Sequence, residues 1–181
     1  MNNYLSFLRG INVGGNKRMT MTDLKLLYET LGFEQIDSYI QSGNVVFCSN
    51  MTSTTEIGKA LSAAIYQKYG FEVPVLVRTL TEVEALLTSN PFISMGFNEN
   101  ELYISLLSEL PSTAAIEQLN ALPNFGDECC IKGREIYLHC PHSYMQTRWQ
   151  NSFLEKKLKI IATTRNWRTI QEMHRLCWNK S

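Results

Sequence analysis

Apolar residues along this chain alternate in some stretches and recur every three to four positions in others, and the change of period marks out its elements. Tyr4–Leu8 reads as a strand. Thr20 followed by Asp23 opens an amphipathic helix with Leu24, Leu27 and Leu31 on one face, and Gly32 stops it. Two β-rich runs, Ile36–Ile40 and Val45–Cys48, are joined by Gln-Ser-Gly-Asn, a hairpin signal. Ile57, Leu61, Ala64 and Ile65 fall at helical spacing within a second helix predicted over Thr54–Tyr69, with Gly70 as its stop. Val73–Val77 is the next strand. The order βαββαβ is that of a ferredoxin-like sandwich.

After a short helix near Thr81–Ser89 the pattern largely returns. Leu102–Leu107 is predicted as a strand and Ala114–Leu122 as a helix. Glu128–Ile131 and Glu135–Cys140 form a hairpin around Lys132–Gly133, Phe153–Leu158 is helical, Ile160–Thr163 is a brief strand, and Ile170–Trp178 closes as a helix. The expected fold class is α+β, two packed ferredoxin-like halves with antiparallel sheets. The expected division is 1–79 for the first half, 80–98 for a connecting helix and loop, and 99–181 for the second half.

Composition narrows the function classes. Lys plus Arg equals Asp plus Glu at 17 each, so the chain lacks the overall positive field of a non-specific nucleic-acid binder. Apolar runs such as Ile11–Val13 and Val75–Val77 are far too short to cross a bilayer, and MNNYLSFLRG carries no secretory-signal pattern. A cytoplasmic location is expected. The five cysteines, Cys48, Cys129, Cys130, Cys140 and Cys177, are then expected as reduced thiols.

Chemistry concentrates in the loop RGINVGG. Its spacing fits neither the dinucleotide fingerprint nor a P-loop. Gly10, Gly14 and Gly15 free backbone N–H groups to converge, Arg9 supplies a forked donor, Asn12 can donate and accept, and Thr20 then opens a helix whose N-terminus favours an anion. The competing structural reading is a conformationally demanding crossover loop. In a βαββαβ unit the first two strands run parallel, so topology brings Gln41, Ser42 and Asn44 to the same sheet edge as the glycine loop. A tight turn accounts for Gly43 and Asn44 unaided.

A third motif, Thr163–Trp167 (TTRNW), offers Thr164, Arg165 and Asn166 as ligand contacts, with Arg165 suited to bidentate anion recognition. Structurally, Thr164 or Asn166 would cap the last helix and Trp167 would anchor it. His139, Cys140 and His142 suggest a metal at first sight. Strand alternation sends His139 and Cys140 to opposite faces, so no metal site is expected. No residue stands out as a general base, and no motif names a cofactor.

Through LRGINVGGNKRM, YIQSGNVVF and TTRNW, the sequence resembles the domain of unknown function 1697 family. The resemblance spans essentially the whole chain, with the family pattern falling on Leu8–Gly15, Tyr39–Phe47 and Thr163–Trp167. It implies an α/β protein from a mostly bacterial family with no established activity. Members often carry Thr-Lys after the second hairpin; here the chain reads CPHSYMQTRWQ, without that lysine. The expectation is an anionic small molecule bound between the glycine loop, the 41–44 turn and TTRNW. The alternative is a nucleic-acid or protein-binding module using the basic C-terminal third, including Lys156, Lys157 and Arg168.

Overall fold

The computed structural model describes residues 1–123 and 126–179. Two compact units divide the chain: Met1–Ala85 together with the segment from Gln171 onward, and Leu86–Ile170. The C-terminal segment thus groups with the first unit, whereas the sequence division ran 99–181 as one half.

The first unit is built from β1 (Asn2–Leu8), α1 (Met21–Thr30), β2 (Glu34–Tyr39), β3 (Asn44–Ser49), α2 (Thr54–Tyr69) and β4 (Val75–Thr79). Its sheet has the order β2-β3-β1-β4, with every neighbouring pair antiparallel. Thr20 caps α1 by accepting from the Asp23 amide at 3.0 Å. Gly70, at φ +74°, ends α2 in the left-handed conformation that glycine adopts without strain. The strand expected from Val73 starts at Val75 instead, directly after Pro74, which has no amide hydrogen for a ladder.

Alternate residues of β1, β3 and β4, namely Tyr4, Leu8, Val45, Phe47, Val75 and Val77, pack with Leu24, Leu27, Ile57, Leu61 and Ile65 of the helices. Ser6 points into the same layer, where its hydroxyl bonds the buried Tyr28 hydroxyl at 2.7 Å. Burial pushes the Tyr28 phenol well above its ordinary pKa. Gly58 lets α2 lie against β4, since a Cβ there would stand 2.6 Å from the Val75 carbonyl oxygen.

The second unit repeats the plan. It contains the end of α3 (Leu80–Thr88), then α4 (Pro91–Ser94) and a 3-10 turn at Glu99–Glu101. These are followed by β5 (Leu102–Leu107), α5 (Thr113–Asn120), β6 (Glu128–Lys132), β7 (Glu135–His139), α6 (Asn151–Leu158) and β8 (Ala162–Asn166). The sheet order is β6-β7-β5-β8, again antiparallel throughout. Leu107, Leu119, Ile136, Leu138, Leu154 and Leu158 form its core. The last strand, expected at Ile160–Thr163, lies two to three residues later because Tyr103–Leu107 pair with Ala162–Asn166. The motif TTRN is therefore strand, and α7 (Trp167–Trp178) begins at its tryptophan. Among the described residues, no helix is long and apolar enough to cross a membrane.

Candidate functional site

Beyond Leu8 the chain leaves the sheet and folds into a miniature hairpin. Asn16 N–H donates to the Val13 carbonyl at 3.1 Å, and the two residues between them, Gly14 and Gly15, have φ of +58° and +79°. Positive φ at both central positions is the signature of a type I′ turn, which accounts for this glycine pair without any ligand. Asn12, itself at φ +56°, closes the base of the loop. Its Oδ1 accepts from the Met19 amide at 2.9 Å, while its Nδ2 donates to the Met19 carbonyl at 2.9 Å and to the Gln41 carbonyl at 2.8 Å. Both amide hydrogens of Asn12 are thus committed within the protein.

The second loop meets the first as the topology requires. Leu8 N–H donates to the Gly43 carbonyl at 2.8 Å. Gly43 has φ +74°, and a Cβ on it would stand 2.6 Å from Leu8 Cβ, so glycine is required there by both backbone and space. Asn44 is fully buried, and its Nδ2 donates to the Ser42 hydroxyl at 2.8 Å and the Tyr39 carbonyl at 3.2 Å. The turn also holds Ile40 at φ +52°, a conformation rarely adopted by a β-branched residue. Arg9 is fixed at the sheet edge through its amide, which donates to the Pro74 carbonyl at 2.9 Å.

Beside this junction opens a cleft of about 510 Å³, lined by Asn12, Gly15 and Gln41 and by Arg18, Met19, Thr20, Asp23 and Tyr69. The last five were not among the residues the sequence singled out as ligand contacts. Arg18 lies over the glycine turn, its Nη2 3.7 Å from where a Cβ on Gly15 would sit. The Thr20 hydroxyl donates to Asp23 Oδ2 at 2.8 Å, and Asp23 Oδ1 stands 4.0 Å from Lys68 Nζ. Burial of the Tyr69 hydroxyl, and secondarily the Asp23 carboxylate, raises the phenol's pKa, so it stays protonated at neutral pH. The position of Arg18 just before the helix cap is the signal from which it could have been found.

The model of a family described as protein of unknown function (DUF1697) matches residues 1–137. The chain belongs to this family. No curated protein matches it. A solved structure, that of conserved bacterial protein SP0830 from Streptococcus pneumoniae, is similar with a TM-score of 0.78. The two chains are 24% identical, and the match covers 97% of this chain and 98% of the other. A likeness at that identity supports the fold and nothing finer.

In this DUF1697 protein the TTRNW motif lies in the second unit. Thr164 Oγ1 donates to Asn151 Oδ1 at 2.7 Å and shares a hydrogen bond of 2.6 Å with the buried Ser105 hydroxyl. Arg165 has local partners that the sequence did not reveal: its Nη1 donates to Thr163 Oγ1 at 2.8 Å and to the Thr164 carbonyl at 2.9 Å. Asn166 Oδ1 accepts from the Thr169 amide at 2.8 Å, making it, of the two candidates, the cap of α7. Trp167 is buried.

The remaining chemistry-bearing residues also have structural surroundings. His139 Nε2 pairs with Glu101 Oε2 at 2.9 Å, and its ring packs 4.2 Å from that of Phe97. Burial pushes the Cys129 thiol up to about 12 and the Cys140 thiol up to about 11, so neither is a ready nucleophile. Tyr4, Phe7 and Phe47, the aromatics of β1 and β3, are at most 1% exposed. The stacking of bases on open strand aromatics, as in RNA-binding sheets of this topology, has no platform on those strands.

Proposed function

We propose that the first unit binds a small anionic molecule in the cleft at the head of α1. The observation that carries this reading is the convergence of the Arg18 guanidinium, the Gly15 turn and the start of a ten-residue helix on one open volume of about 510 Å³. A helix leaves its first amides without intrahelical partners, and its dipole favours negative charge at that end. Arg18 adds a forked, permanently charged donor. The volume falls within the range of small-molecule sites. Asn12, Ser42 and Asn44 serve in this reading as the frame that holds the cleft open, because their side-chain bonds lie within the protein. Gln41 offers an exposed carboxamide at the rim. The function is recognition; the lining groups supply charge and hydrogen bonds for binding.

The test is an NMR titration with inorganic phosphate and with acetate, following backbone amides. Saturable shifts confined to Gly15, Thr20 and the first turn of α1 are expected. Arg18→Gln should weaken binding by roughly tenfold to a hundredfold, the worth of a charged hydrogen bond. Shifts that grow linearly with concentration, or that scatter over the surface, would remove the reading.

A further inference from the structure

We infer that the ligand of this cleft is a small zwitterion, presenting a carboxylate to Arg18 and an ammonium group to Asp23. The inference rests on the proposal that the cleft is an anion site and adds a second pole to it.

The cleft walls carry one fixed charge of each sign, Arg18 and Asp23. Asp23 is half-exposed, with 47% of its side chain open to solvent. Oδ2 accepts one bond, from the Thr20 hydroxyl at 2.8 Å. Lys68 Nζ donates to the Asp23 main-chain carbonyl at 3.4 Å and stands 4.0 Å from Oδ1, from a side chain that is itself 41% exposed, so water screens its pairing with the carboxylate. A carboxylate can accept about four hydrogen bonds, so Asp23 keeps acceptor capacity on the cleft side. A ligand with negative charge alone would face this carboxylate as a repulsive neighbour; a ligand with a cationic end would be rewarded by it. Specificity built from attraction at one pole and repulsion at the other is the usual way a site rejects near relatives. Tyr69, part-buried in the lining, offers an aromatic ring for the carbon chain that joins the two poles.

The experiment is a matched ladder: glycine, β-alanine, 4-aminobutyrate and 5-aminopentanoate against acetate, propionate, butyrate and pentanoate, each titrated into the full chain and followed by NMR. At least one amino acid should bind tenfold or more tightly than its partner lacking the amine. Asp23→Asn keeps an acceptor for the Thr20 hydroxyl while removing the charge. It should erase the advantage, while simple carboxylates bind at least as well as before and gain most where the repulsion from position 23 was strongest. Equal affinity within every pair would overturn the zwitterion while sparing the anion site, as would an advantage that survives Asp23→Asn. Silence of both series and of phosphate at Gly15 and Thr20 would overturn the anion site along with it.

Discussion

The side-chain amide of Asn12 donates to the main-chain carbonyl of Gln41 at 2.8 Å, tying together two loops whose sequences lie 29 residues apart. The same amide group brackets Met19 through both its carbonyl and its N–H. One side chain therefore sets the positions of the glycine hairpin, the residue before the cap of α1, and the turn between β2 and β3.

Removing this clasp should cost stability without costing backbone strain if glycine is the replacement. Asn12→Gly keeps the positive φ free of penalty and deletes three hydrogen bonds, each worth about 0.5–1.5 kcal/mol net. A loss of about 1–3 kcal/mol in urea unfolding is expected; a change under about 0.5 kcal/mol would show that water replaces the clasp.

The glycines divide into two classes. Gly14→Ala meets nothing within 4 Å and suffers only from its positive φ, a penalty of about 1–2 kcal/mol. Gly43→Ala adds a Cβ at 2.6 Å from Leu8 and 2.9 Å from Ile11, and overpacking costs about 1–3 kcal/mol more. Thermal melts should rank Gly43→Ala clearly below Gly14→Ala, and equal melting temperatures would contradict the close packing at the junction.

Within TTRNW the hydroxyl at 164 should outweigh the guanidinium at 165. Thr164→Val strips the partner from the fully buried Ser105 hydroxyl and from Asn151, an expected loss of about 1–3 kcal/mol. Arg165→Ala removes bonds from a half-buried side chain and should cost about 1 kcal/mol. The comparison is by denaturant midpoint at constant slope.

Alkaline pH should weaken the protein through its thiols. The folded chain holds Cys140 neutral, with its pKa raised by burial from 9.0 to about 11, and Cys129 to about 12. Below pH 9 both the folded and unfolded chains keep these protons, and the contribution to stability is complete. Above pH 9 the unfolded chain ionises first, so that contribution falls away as pH climbs through about 11. Urea midpoints measured across that window should decline, and Cys140→Ala should flatten the decline; an unchanged slope in the variant would assign it to other groups.

Much of the frame was legible in the sequence because it follows from periodicity and punctuation. The helix predicted over Thr54–Tyr69 has those bounds in the structure, with Gly70 in the left-handed conformation. The Thr20 cap and both antiparallel sheets also follow from the pattern. The meeting of RGINVGG with the 41–44 turn was legible too, since strand direction dictates it. Side-chain allegiance was not. A sequence shows that Asn12 can donate and accept, and says nothing about whether its partners are a ligand or the carbonyls of Met19 and Gln41. For the same reason Arg165 stood out as a donor in search of a partner, while the Thr163 hydroxyl and the Thr164 carbonyl, which accept from it, belong to its immediate predecessors in the chain. Tyr69 was overlooked because its place in the cleft lining comes from a convergence of α1, α2 and the hairpin that no local spacing records, whereas Arg18 was legible from its position two residues before the Thr20 cap.

The two sheets share one strand order, so each unit makes the same first passage from strand to helix. In the second unit that passage is residues 108–112; in the first it is 9–20. The shorter segment shows how little chain this crossover requires. What the first unit carries beyond it is the glycine hairpin and Arg18, together with Asn12, which clasps the 41–44 turn, and Ile11 and Met19, which pack into the core. The long crossover is thus part of the first unit's own packing as well as the rim of its cleft, and shortening it would remove both at once.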